Sequence, residues 1–307
     1  MTQTATRAVA PKAIRANLAD PSRLGVLADL REVLDELVQY RFLLQQLTLR
    51  DIRLRYKQAI MGFFWAVFMP VLIVLAGLLI KYAMARMSGT ELQASSVATL
   101  AIKALPWAFF VGGMQFSTAS LITNHSLVTK IYFPREVLPL SSVAAQCFDS
   151  GIGALALMLV LPFLGIQLSA ALFWVPVLIV MLIGMTAAAA LFLSSANLFF
   201  RDVKYIVQVL LTFGIFFTPV FFEPATFGEL GSRLLMLNPI APILEGFRLA
   251  IVEGHNLMVP LTVTSGGESV LAWSPWHLLY AGSFATAGLA ATAVIFHRSE
   301  QLFAEYV

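Results

Sequence analysis

The sequence predicts an all-α integral membrane protein, and three observations carry that prediction. Of the 307 residues, 59% are hydrophobic and only 12% are charged, against roughly 25% charged in soluble domains. Six apolar stretches reach or approach the about 20 residues that a helix needs to cross a bilayer. Lys and Arg fall unevenly on the connections between those stretches. The expected architecture is six transmembrane helices behind an N-terminal cytoplasmic interfacial amphipathic helix, with short re-entrant helices between spans five and six.

The elements follow in chain order. Residues 1–29 carry Arg7, Lys12, Arg15 and Arg23 but no compact apolar block. A cleavable secretory signal is therefore not expected, and the stretch reads as a flexible cytoplasmic tail. Residues 30–57 place Leu30, Val33, Leu34, Leu37, Leu44 and Leu47 at helical spacing, with Arg31, Asp35, Glu36 and Arg41 opposite. That pattern suits a helix lying in the membrane interface, or one packed on a partner.

Residues 58–297 form the transmembrane domain. Its spans are expected near Ala59–Ile80, Ala104–Thr123, Val137–Pro162, Leu172–Asn197, Tyr205–Phe222 and Leu271–Phe296. Residues 223–270 hold the apolar block Leu234–Leu244, which is too short to span, and read as an outward re-entrant segment. Residues 298–307 read as a short cytoplasmic tail.

Orientation follows from the cations. Ten precede the first span, and Lys130, Arg135, Arg201, Lys204 and Arg298 make fifteen on that side. The other side has Lys81, Arg86, Lys103, Arg233 and Arg248. Both termini are therefore expected in the cytoplasm. No fixed-period repeat or inverted symmetry of the halves is visible, which argues against a repeat-built secondary transporter. The single cysteine, Cys147, excludes an intramolecular disulfide framework.

Several chemistries fail on inspection. The chain has no GxxxxGK[ST] phosphate loop, no HExxH and no GxSxG. Its histidines, His125, His255, His277 and His297, are scattered over different elements, so no metal site is expected from them. Asp149 is the lone ionisable residue between Val137 and Asn197. An unpaired carboxylate in lipid costs roughly 2.5–3.5 kcal/mol. Asp149 is either a proton-relay group or a hydrogen-bond partner of a neighbouring helix, near Gln146, Ser150 and Gly151.

The loop Thr123–Val143 breaks at Pro134, which disfavours helix at Phe133. Tyr132 and Phe133 beside Arg135 and Glu136 are expected to be exposed. They read either as a protein-docking loop or as an aromatic interface belt. The basic cluster Arg50, Arg53, Arg55 and Lys57 precedes the first span. It reads as positive-inside anchoring or as a headgroup site at the cytoplasmic gate, each cation near an anionic surface contributing about 1 kcal/mol. Phenylalanines cluster, and the aromatic candidates for a channel lining are Phe63, Trp65, Phe68, Phe213, Phe216 and Phe217.

Four motifs in order resemble one family. "RDIRLRYKQAIMGFFWAVFMPVL" (Arg50–Leu72) resembles the first-span signature RDxxxRYKxSxLGxxWxxxxP of bacterial ABC-transporter permeases of the polysaccharide-export class. Ala59 stands where the pattern has serine and Met61 where it has leucine. "LITNHSLVTKIYFPREVLPLSSV" (Leu121–Val143) resembles that family's second–third loop. "NLFFRDVKYIVQVLLTFGIFFTPVFF" (Asn197–Phe222) resembles its fourth–fifth region, and "NPIAPILEGFR" (Asn238–Arg248) its outward re-entrant segment. The short ending "RSEQLFAEYV" is also similar. The resemblance covers about residues 30–307 and leaves residues 1–29 unexplained.

The resemblance implies a permease of six spans in the bacterial inner membrane. It would pair with a second copy and with two separate ATPase subunits, which bind ATP and Mg; no cofactor is expected in this chain. It implies ATPase coupling through Asn124, His125, Lys130, Tyr132, Phe133, Pro134, Arg135 and Glu136. The implied cargo is a lipid-linked polysaccharide of O-antigen or teichoic-acid type, moved outward. Two alternatives stay open. One is an ABC exporter of another lipid or a drug. The other is a membrane-embedded enzyme on lipid-linked sugars, using Glu223, Glu229, Glu245, Arg248, Glu253 and His255.

Overall fold

A computed structural model describes residues 25–57, 64–89, 94–130, 133–167, 169–265 and 268–306. It is a helical bundle. Its elements are α1 (Val26–Gln39), α2 (Arg41–Tyr56), α3 (Phe64–Ser88), α4 (Ala94–Thr118), α5 (Ser120–Thr123), α6 (His125–Lys130), α7 (Val137–Val160) and α8 (Trp174–Phe199). There follow α9 (Val203–Gly214), α10 (Gly228–Met236), α11 (Ala241–Ile251), the strands β1 (Leu261–Ser265) and β2 (Glu268–Trp273), and α12 (Pro275–Tyr306). Among the described residues, five helices are long and apolar enough to cross a membrane: α3, α4, α7, α8 and α12.

The bundle has a centre and a rim. α8 packs along α12, and α4 lies against both α7 and α8. About half of the apolar stretches of α4 and α8 is buried within the chain, against 6% for α3 and α7. Small residues permit the close approaches. A Cβ at Gly113 would lie 2.6 Å from the Thr186 side chain, and one at Gly112 would lie 2.7 Å from Gln146. Adjacent glycines thus bring α4 onto α8 and α7 together, the small-residue packing that membrane bundles favour.

Asn197 is fully buried and closes two helix ends. Its Nδ2 donates to the Thr118 carbonyl (2.9 Å) and its Oδ1 accepts from the Lys204 amide (3.1 Å). That ties the ends of α4 and α8 to the start of α9 and gives the Thr118 carbonyl and the Lys204 amide a partner.

The stretch read as one amphipathic helix from 30 to 57 is two helices, starting at Val26 and divided at Tyr40. Leu30, Val33, Leu37, Leu44 and Leu47 do pack together, against Leu121, Val137, Leu198 and Phe296 of the bundle. Leu34 stays exposed. α1 lies on α12 and α2 runs along α7. The apolar face therefore has a partner within the chain.

The expected second span begins ten residues early, at Ala94, and Lys103 lies inside it. Residues 298–306, read as a tail, continue α12. The expected fifth span is the short apolar unit Val203–Phe217, α9 plus a 3₁₀ turn.

The segment 223–270 holds α10, α11 and part of a two-stranded antiparallel hairpin that was not expected. Every residue from Ala241 to Ala250 is buried. α11 packs on α4, α8 and α12, so it is a core helix. Asn238 starts it: its Nδ2 donates to Thr218 Oγ1 (3.1 Å) and its Oδ1 accepts from the Ile240 amide (3.3 Å). Trp273 anchors β2, its indole donating to the Leu257 carbonyl (2.9 Å).

Candidate functional site

The residues singled out by sequence fall into three groups. The first is the connection between α4 and α7. Asn124 caps α5 by donating from Nδ2 to the Ser120 carbonyl (2.8 Å), and its own carbonyl accepts from Leu127 and Val128 at the start of α6. On this short double helix His125, Ser126, Thr129 and Lys130 are exposed. Phe133 corrects an expectation. It is 5% exposed and packs with Val128, Val137 and Leu138. The break at Pro134 turns the backbone, and the turn drives the ring inward. Tyr132 lies outside the described residues.

Arg135 fastens this connection to the end of α12. Its guanidinium donates to the Glu300 carbonyl and to the Val128 carbonyl (3.4 Å), and its amide donates to Glu300 Oε1 (3.2 Å). Glu136, 1% exposed, sits at the start of α7, where the helix dipole favours a carboxylate.

The second group joins residues that sequence reasoning kept apart. α2 carries Arg55 and Tyr56 inward along α7 to Asp149. Arg55 Nη1 donates to Asp149 and to Gln146 Oε1 (3.0 Å), and Nη2 donates to the Ser142 carbonyl (3.5 Å). Its guanidinium stacks 3.8 Å over the Phe116 ring, a cation–π contact. Tyr56 Oη donates to Asp149 Oδ1 (2.5 Å). Burial and that hydrogen bond push the Tyr56 phenol well above its ordinary range. Asp149 is thus an ion-paired, hydrogen-bonded partner of α2. The four cations of the basic cluster divide. Arg55 points into the bundle, Arg50 pairs with Asp51 (2.8 Å), and Arg53 and Lys57 remain exposed.

The third group is aromatic. Phe217 lines an apolar cavity of about 430 Å³ with Trp107, Phe110, Met114, Phe192 and Phe284. Phe213 and Phe216 are exposed beside it, while Trp65 and Phe68 stack edge to face on α3, 5.5 Å apart. Phe63 lies outside the described residues. Sequence reasoning did not pick Trp107, Phe110, Phe192 and Phe284 as lining residues; they come from three different helices, Trp107 and Phe110 from α4.

The acids of segment 223–270 read as possible enzymic groups are in ion pairs. Glu245, on α11, contacts Lys103 Nζ (2.7 Å) and Arg248 (2.5 Å), Arg248 also reaches Glu253, Glu229 pairs with Arg233, and Glu223 lies 3.8 Å from Lys81. Burial works against the Glu245 charge, but Lys103 and Arg248 more than offset it and hold the carboxyl below its ordinary range. Lys103 is 0% exposed. It entered the cation asymmetry as a loop charge, and its role is internal pairing.

A multi-pass helical protein with an exposed, buttressed connection at one end and its intramembrane charges neutralised in pairs has the build of a transport subunit. Comparison with known proteins makes that particular. Residues 43–252 match the model of the ABC-2 type transporter membrane domain, and the chain belongs to that family. It is 31% identical over 247 residues to the O-antigen export system permease protein RfbA of Myxococcus xanthus, covering 78% of this chain and 92% of that one. Two Klebsiella pneumoniae proteins of the same name are 27% and 26% identical over 214 residues, covering 69% of this chain and 81% of each. Membership makes the chain a membrane permease, a transport subunit and not an enzyme, of a transporter with an ATPase partner.

Proposed function

We propose that the chain is the permease of an ATP-driven exporter that moves a lipid-linked polysaccharide of O-antigen type outward across the bacterial inner membrane. Two copies form the pathway, and two ATPase subunits, which bind ATP and Mg, drive it. The observation that carries the cargo is the alignment with an O-antigen export permease over 92% of that relative's length. In this reading both termini are cytoplasmic, α1 and α2 lie at the cytoplasmic interface, and segment 223–270 faces outward. The unit Val203–Phe217 with the residues that follow it makes the sixth crossing.

The ATPases dock on the exposed face of α5 and α6, around His125 and Lys130. Phe133, Pro134, Arg135 and Glu136 transmit the push by fixing that face to α7 and α12. Arg53 and Lys57, the exposed cations, meet the lipid diphosphate, since cations near an anionic surface concentrate such groups. Arg50 flanks them. Arg55 supports the same corner from inside through Asp149. The aromatic cavity around Trp107 and Phe217 adjoins the sugar path, with Phe63, Trp65, Phe68, Phe213 and Phe216 as further lining.

Removal of the chain from its host tests the cargo. The expected result is loss of the surface glycan with accumulation of its lipid-linked form inside the cell. Unchanged surface glycan on removal contradicts it.

A further inference from the structure

We propose that Glu36, Glu136 and His297 form a binding site for a divalent transition-metal cation of the zinc class, clasping α1 to the root of α7 and the end of α12. The three residues come from three elements distant in sequence, and one ligand atom from each lies within 4.8 Å of the other two. At the tetrahedral angles zinc adopts, bonds of about 2.0–2.2 Å set two donors about 3.3–3.6 Å apart; His297 Nδ1 and Glu136 Oε1 already lie at 3.3 Å, and the Glu36 carboxylate closes on them by a shift of its side chain. One imidazole nitrogen with two carboxylates is a donor set that zinc accepts.

The second observation is Glu136 itself. It is 1% exposed, and its carboxylate faces the cluster: Oε1 lies 3.3 Å from His297 Nδ1, while Oε2 is buried and has no hydrogen-bond partner among the described residues. A buried carboxylate oxygen without a donor is strongly disfavoured, and a cation would satisfy it.

The surrounding charges point the same way. Glu32 and Glu36 face His297 from α1, Glu136 from the start of α7, and Glu300 stands near Glu136 one turn on along α12. Against these four carboxylates stand His297 and Arg135, and Arg135 is engaged with Glu300. Arg298, the next cation, is paired with Asp29 (2.7 Å).

His297 is also oriented as a ligand. With Nδ1 toward Glu136, its Nε2 lies 3.8 Å from Glu32 Oε2. Metal-bound imidazoles place their second nitrogen toward an outer carboxylate in this way. Sequence reading found no metal site because it weighed histidine against histidine. The ligands here are one histidine and two glutamates that only the fold brings together.

The test uses the full chain in detergent, stripped with chelator and titrated with Zn²⁺ by calorimetry, with bound metal counted after desalting. The expected result is one high-affinity zinc per chain, with zinc raising the Tm. Glu36→Gln and His297→Asn should each weaken that binding at least about tenfold, the lower end of what even outer partners of a metal contribute. Glu36 is half-exposed on α1, so its variant keeps the fold intact for the comparison. Failure of the wild-type chain to bind zinc overturns the site, as does wild-type affinity in either variant. His297 is then a hydrogen-bond partner of Glu136 alone.

Discussion

Two ionic clusters tie different pairs of helices together, and they differ in how closed they are. In the Lys103–Glu245–Arg248 cluster the side chains are 0%, 1% and 6% exposed, and all of them lie within the chain. It seats α11 against α4. In the Arg55–Asp149 pair the side chains are 14% and 13% exposed, with Arg53 and Lys57 exposed nearby. It fastens α2 to α7. Charge inside a membrane bundle is therefore not itself a sign of transport chemistry. The closed cluster is architecture, and the open one borders the exposed cations that the proposed function assigns to the lipid headgroup.

The largest effect should come from breaking the closed cluster. Lys103→Met leaves Glu245 with one cation fewer in a buried site, and stripping a partner from a buried pair costs about 3–5 kcal/mol. Thermal unfolding in detergent should show a large fall in Tm, and fluorescence-detected size exclusion a loss of the monodisperse peak. A Tm like that of the wild type would reduce the cluster to an incidental contact.

An intermediate effect is expected at the open pair. Arg55→Gln removes contacts to Asp149, Gln146, the Ser142 carbonyl and the Phe116 ring. Asp149→Asn keeps an acceptor for Tyr56. The first should therefore destabilise more than the second, and a double-mutant cycle should return a coupling of about 0.5–3 kcal/mol. Additive effects would mean that the pair does not hold α2. Export surviving Asp149→Asn, as expected, removes proton coupling through this residue.

The smallest effect on stability belongs to the exposed cations. Arg53→Gln with Lys57→Gln should leave Tm nearly unchanged, each within about 0.5 kcal/mol, while lowering the ATPase stimulation produced by lipid-linked glycan. Full stimulation in the double variant would return both residues to a topological role.

How much of this was legible in the sequence depends on range. The apolar runs of α3, α4, α7, α8 and α12 are local signals, and each was found, with boundaries shifted by up to ten residues. The division at Tyr40 was not legible, because apolar spacing continues on both sides of it. Asp149 was flagged by its expense in lipid, but Arg55 lies 94 residues away, and one sequence holds no trace of that pairing. Phe133 was misjudged because a proline constrains the backbone before it and says nothing about which way the ring turns.

The hairpin had a signal. Thr262, Val263 and Thr264 are β-branched, and Gly266 with Gly267 stands between the strands, a hairpin pattern. A two-stranded sheet is marginal alone. Here Val270, Ala272 and Ala225 give it a small core.

The central claim is that the short helices before α7 present the docking face for the ATPase. Copurification tests it most directly, using the chain extracted gently from its host as wild type and as His125→Glu with Lys130→Glu. The docking reading predicts that a phosphate-loop ATPase accompanies the wild type and is lost from the double variant, whose Tm is unchanged. Retention of the ATPase by the double variant, or its absence from the wild type, would contradict it.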